Sequence, residues 1–197
     1  MAKQMIISIG REFGSGGHAI AELLANDLGI KMYDRNMLDE IAREKDVDVK
    51  NLEEFDEKPR KFLISRRVRD YSNSMEEIIA EMQFDYIRKK ADSGESFIIV
   101  GRCAETVLKG REGLISIFIL GNKKEKLARV MEKYNLGEDE ALEKMTRHDK
   151  KRKQYHNNHS ESKWGDSRNY DLCINSSRLG VEKTEALIKD YIKEINM

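Results

Sequence analysis

The chemistry-bearing residues are densest at Gly10-Arg11-Glu12-Phe13-Gly14-Ser15-Gly16-Gly17-His18, between an apolar run at 5–9 and a helix-patterned segment at 20–28. Glycines at 14, 16 and 17 accept positive φ and let successive amides converge, and the helix start adds its positive dipole end. The segment reads as an anion cradle. The usual phosphate loop, GxxxxGK followed by Ser or Thr, also brings a Lys to the phosphates and a hydroxyl to Mg²⁺. With Gly16 on the second Gly of that pattern, Arg11 falls on the first Gly, Gly17 on the Lys and His18 on the hydroxyl. His18 either donates to the anion or caps the helix.

Positive charge recurs where a parallel sheet would gather it. In such sheets ligands collect beyond the carboxyl ends of the strands. The residues that follow the strand-like runs are Arg11-Glu12, Asp34-Arg35, Gly101-Arg102 and Gly121-Asn122. Guanidinium groups beside a glycine-rich helix start suit several phosphate oxygens, because Arg offers planar, bidentate, permanent charge. The alternative is structural ion pairing with Glu12, Asp34 or Glu105. A second basic run, Arg147-His148-Asp149-Lys150-Lys151-Arg152-Lys153, continues a helical pattern. Arg147 then shares a face with Lys150 and Lys151, and His148 shares one with Arg152. One face can close over phosphates, or the run is a solvated surface.

Elements able to position these groups alternate along the chain. Strands are predicted at 5–9, 31–33, 97–100, 115–120 and 171–174, the pattern of a mostly parallel sheet covered by helices. Ile20, Leu23, Leu24 and Leu28 form one helical stripe, closed by Gly29 as its C′ residue. Met37, Leu38 and Ile41 form another, and Met75, Ile78, Ile79, Met82 and Tyr86 form a third on a long helix that should stop at Gly94. Asn122 and Glu125 read as a capping pair opening a helix with Leu127, Val130 and Tyr134, and Gly137 separates it from the next. A last helix near 181–195 is expected to turn Leu187, Ile188, Tyr191 and Ile192 inward. The stretch 46–69 passes from an acidic cluster through Pro59 to a basic run and reads as an insertion. The stretch 147–170 reads as a mobile lid before the last strand.

A chain of 197 residues suits one α/β domain. Formal net charge is zero, so no global field favours nucleic acid or an anionic membrane, and RNA binding through 60–69 and the lid ranks last. No apolar run spans a bilayer, and a soluble cytoplasmic protein is expected. Cys103 and Cys173 match no metal or redox spacing and read as buried thiols. His156 and His159 have a spacing open to a shared metal, or sit in a polar loop. Trp164-Gly165-Asp166 and Asn169-Tyr170-Asp171 read as a turn anchoring the lid's return.

Taken together, Ile7-Ser8-Ile9-Gly10-Arg11-Glu12-Phe13-Gly14-Ser15-Gly16-Gly17-His18, Tyr33-Asp34-Arg35, Val100-Gly101-Arg102 and Trp164-Gly165-Asp166 with Asn169-Tyr170-Asp171-Leu172 and Ile174-Asn175 resemble the cytidylate kinase-like family. The resemblance covers nearly the whole chain. It implies a P-loop kinase three-layer α/β fold as a single domain: a five-stranded parallel sheet, a helical substrate-binding insertion near 46–93 and a lid near 147–170. It further implies ATP and Mg²⁺, with γ-phosphoryl transfer to a small-molecule acceptor, CMP or dCMP. By that likeness Gly14, Ser15, Gly16 and Gly17 hold donor phosphates, Arg102 meets the acceptor with Asp34 and Arg35 on the substrate side of strand two, and Arg147 and Arg152 fall in the lid. From the residues themselves His18 is counted with the cradle, and Arg11, with the lid arginines, is the candidate for catalytic charge in place of the phosphate-loop Lys. Ser15, Glu12 or the phosphates alone are the options for Mg²⁺. The chain departs from the family at Gly17, where the phosphate-loop Lys stands, and at Val100 and Cys103, where acids flank Gly-Arg. The rival readings are a nucleotide-responsive binding protein without turnover and a kinase of a non-nucleotide small molecule.

Overall fold

A computed structural model describes residues 3–34, 37–45, 67–68, 71–72 and 75–195. The sheet strands are β1 (Ile6–Arg11), β2 (Lys31–Tyr33), β5 (Phe97–Val100), β6 (Leu114–Leu120) and β7 (Leu172–Asn175), all parallel in the order β2-β5-β1-β6-β7. Two short strands, β3 (Arg67–Val68) and β4 (Tyr71–Ser72), pair antiparallel in what was expected to be the insertion. The helices are α1 (Gly17–Leu28), α2 (Met37–Lys45), α3 (Met75–Asp92), α4 (Ala104–Val107), α5 (Lys123–Tyr134), α6 (Glu138–His159) and α7 (Gly180–Ile195), with a 3₁₀ turn at Ser167–Asn169. The acidic cluster, Pro59 and the basic residues 60–66 lie outside the described residues.

The strands are apolar on both faces because helices cover both, as a parallel sheet requires. Ile7, Ile9, Ile98, Val100, Ile117 and Ile119 pack on Ile20 and Leu24 of α1 and on Ile188 and Ile192 of α7. The other face sets Ile6, Tyr33, Phe97 and Ile99 against Met37 and Ile41 of α2 and Ile79, Tyr86 and Ile87 of α3. Each isoleucine shielded completely from water contributes about 1.5–3 kcal/mol, so the strand ends, and the loops leaving them, sit on a rigid base.

Local signals place most element ends. Gly29 takes φ 64° and closes α1, its amide bonding back to Asn26 O. Three expectations need correction. Asn122 is the N-cap of α5 without a side-chain cap bond; its Oδ1 instead accepts from Asn175 Nδ2 at 2.8 Å, tying the end of β6 to β7. Leu187 and Ile78 point outward, at 43% and 42% exposed, because α7 and α3 each present only a narrow stripe to the sheet. His156 and His159 are on α6 and not in a polar loop. α6 runs unbroken across the first half of the supposed lid. Cys103 is buried, Cys173 is half-buried, and neither forms a disulfide.

Candidate active site

β1 lies at the sheet centre between β5 and β6, so its carboxyl end is the point where strand order reverses. The cradle leaves from there. Gly14 and Gly16 adopt φ 80° and 81°, and α1 begins at Gly17. The first-turn amides of a helix have no intrahelical acceptor and face whatever sits at its end. The turn is pinned from several sides. The Phe13 amide donates to Asp149 Oδ1 at 2.7 Å, the Gly14 carbonyl accepts from Arg129, and the Ser15 carbonyl accepts from the Ser176 hydroxyl. Ser15 is itself fully buried, and its hydroxyl donates to Glu12 O at 2.8 Å. Glu12 accepts from Lys126 Nζ at 2.8 Å and from the Gly121 amide at 3.1 Å. Both side chains considered for Mg²⁺ thus have protein partners.

Arg11 crosses the cradle's inner edge. A Cβ placed on Gly17 would lie 2.6 Å from Arg11 Cβ and 3.1 Å from its Cγ, and one placed on Gly101 would strike the Arg11 guanidinium. The side chain therefore runs from the helix start to the end of β5. There Gly101, Arg102 and Cys103 take φ of 83°, 61° and 52° in succession, two of them without glycine's freedom. Arg102 is buried, 6% exposed, with its guanidinium 6.0 Å from the Tyr155 ring.

The inward face of α6 closes over the same place. His148 stacks on Phe13 with ring centres 4.3 Å apart, and Arg152 Nη1 donates to the Arg11 carbonyl at 3.2 Å. Burial pushes the Asp149 carboxyl up, against the opposing pull of the Phe13 amide, Lys126 and Arg152. Arg147 is exposed, five residues and so about 140° around the helix from Arg152. Arg11, Arg102 and Arg152 line one small cavity, about 30 Å³, which holds a water-sized group and not a nucleotide.

Of the other expected residues, His18 is exposed at the helix start with Nε2 2.7 Å from Asp34 Oδ2, joining the phosphate side to the end of β2. Arg35 lies outside the described residues. Trp164 packs edge-on against Phe118, whose ring also meets Tyr170, and Asp166 caps the 3₁₀ turn through the Arg168 amide. The turn does anchor the segment leading into β7. Sequence reasoning missed Arg129 and Lys126. The available signal was their spacing on α5, which opens just past β6 and so lays its first turns beside the cradle.

The model of the cytidylate kinase-like family matches residues 6–178. A solved structure of an uncharacterized protein from Eubacterium ventriosum is 43% identical, with 96% of this chain and 99% of that one covered and a TM-score of 0.76. Shikimate kinase from Bacteroides thetaiotaomicron is 12% identical, with 96% and 98% covered and a TM-score of 0.55. Shikimate kinase from Acinetobacter baumannii, solved with shikimate, is 13% identical, with 97% and 94% covered and a TM-score of 0.53. These last two likenesses are of fold. No curated protein matches the chain in sequence.

Proposed function

The chain belongs to the cytidylate kinase-like family, and on that premise we propose that it is a cytoplasmic, Mg²⁺-dependent phosphotransferase passing the γ-phosphoryl group of ATP to a small acceptor. CMP and dCMP are the first candidates. The observation that carries the reading is the Arg11 side chain, laid across Gly17 where the phosphate-loop Lys would begin. Phosphoryl transfer asks mainly for positioning and positive charge around the migrating group. The amides of the cradle hold donor phosphates, Arg11 takes the part of the missing ammonium, and Arg102 and Arg152 complete the positive wall. Arg129, on the far side of the loop beside Gly14 and Gly16, adds charge on the donor side. Mg²⁺ would come with the nucleotide and neutralise charge on its phosphates, which would supply most of its ligands since Ser15 and Glu12 are engaged by protein partners. Among the described residues, no helix is long and apolar enough to cross a membrane.

The single tryptophan gives a direct test. Trp164 sits on the segment that follows α6, and its amide donates to Asn157 of that helix at 3.0 Å. Any movement of α6 over bound nucleotide changes its surroundings. Mg-ATP is expected to change Trp164 emission saturably, and ADP should be released with at least one of CMP, dCMP, UMP, AMP or shikimate. Saturable binding with no turnover on any acceptor, including alcohols, favours a nucleotide-responsive binding protein instead. No response and no turnover would end both readings.

A further inference from the structure

Beside the arginine cluster an imidazole and a carboxylate meet out of solvent. His156 of α6 and Glu105 of α4 are each 6% exposed at the side chain, and His156 Nε2 lies 2.7 Å from Glu105 Oε1. The other carboxylate oxygen accepts from the Ser8 hydroxyl at 3.4 Å, deep in the sheet. His156 Nδ1 is buried and has no hydrogen-bond partner. Buried polar atoms are nearly always paired, so an orphan nitrogen beside a cavity points to a ligand. His156 lines the cavity of about 30 Å³ shared with the three arginines. Glu105 and Tyr170 line that cavity and also a cleft of about 950 Å³, room for the body of a small molecule.

We propose that the Glu105–His156 pair is the general base of this site and that the phosphoryl acceptor is an alcohol. The inference rests on the phosphotransfer reading, names the reacting group, and sets an alcohol ahead of CMP and dCMP as the acceptor. A phosphate monoester is already ionised at neutral pH and can attack without losing a proton; a hydroxyl cannot. Glu105 accepts the hydrogen bond of Nε2–H, which fixes the tautomer and leaves the Nδ1 lone pair for the acceptor. The acceptor oxygen bonds to the γ-phosphorus as its proton passes to Nδ1. The bond from that phosphorus to the β–γ bridging oxygen breaks, and ADP leaves with the electron pair. Glu105 stabilises the imidazolium until water takes the proton.

The charged groups that face His156 are Glu105 on α4, Arg11 of β1, Arg102 of the β5 turn and Arg152 of α6. Cys103, Tyr155, Trp164 and Tyr170 also line the cavity. The test uses the full chain with Mg-ATP and CMP, cytidine, myo-inositol and glycerol as probes, on wild type, His156→Gln and Glu105→Gln. At least one alcohol should turn over. His156→Gln should lower its kcat by about 10²–10⁴-fold, abolish the acid limb of the pH profile, and leave the Trp164-reported ATP affinity within about threefold. Nitrogen NMR of the wild-type imidazole, independent of turnover and of any variant's folding, should show the neutral form protonated at Nε2 and bare at Nδ1. Turnover of CMP unchanged by His156→Gln, or a proton resident on Nδ1 of the neutral ring, overturns this proposal and leaves phosphotransfer standing. ATP binding without ADP release from any probe overturns both.

Discussion

Arg11→Met is expected to lower kcat for phosphotransfer by about 10²–10³-fold, the usual cost of deleting one preorganised charge contact to a transition state. Methionine keeps much of the aliphatic stem that packs on Gly17 and removes the guanidinium that reaches Gly101. Stability should therefore change little, with Tm within about 4 °C of wild type. On the proposed reading, ground-state ATP binding draws on cradle amides and on Arg129, so KM for ATP should rise far less than kcat falls. Arg11→Lys separates charge from shape, because an ammonium is a point donor without the bidentate fork. It should recover part of the loss. Equal losses in ATP affinity and turnover would instead make Arg11 a binding residue, and unchanged kcat would remove it from the chemistry.

The strands were legible because a doubly covered parallel strand must be apolar at nearly every position, and a run such as Phe97-Ile98-Ile99-Val100 has no other comfortable place. The cradle was legible for a related reason: clustered glycines between a strand and a helix serve few other purposes. The two arginines of α6 show where this stops. Arg147 and Arg152 look alike in sequence, yet only the face carrying His148, Asp149 and Arg152 meets the cradle, since the pitch of the helix separates the two. Which face turns inward is decided by Phe13, a residue of the loop itself, which packs with Val130, Ala141 and Met145. The Glu105–His156 contact was beyond reach. It joins residues on two different helices, and only the passage of α6 over the carboxyl edge of the sheet brings them together. Ser15 shows the converse. Its place in a glycine loop suggests a hydroxyl for a ligand, whereas the tight turn draws that hydroxyl onto the carbonyl of Glu12.

The absent lysine is best understood as a relocation, and this makes a strong prediction. Gly17→Lys, which restores the familiar pattern at that position, should impair the protein. The backbone there is helical, so φ is no obstacle; space is. The new Cβ would land 2.6 Å from Arg11 Cβ, an atom fixed by the end of β1 and unable to swing away as a side-chain tip could. Overpacking of this kind costs about 1–3 kcal/mol, or a Tm lower by roughly 2–10 °C. It also places two cations together, and turnover should fall at least about tenfold as the start of α1 moves. The double variant Arg11→Gly, Gly17→Lys removes the obstructing stem and rebuilds Gly at the first position with Lys at the usual one. It should be more stable than Gly17→Lys alone and more active than either single variant, with a coupling of about 1–3 kcal/mol in a double-mutant cycle. Glycine at the end of β1 holds back some recovery, about 0.5–1 kcal/mol. Thermal melts and ADP release on the four proteins decide the matter: additive effects, or a Gly17→Lys variant faster than wild type, would show that Arg11 had never taken over the work of the lysine.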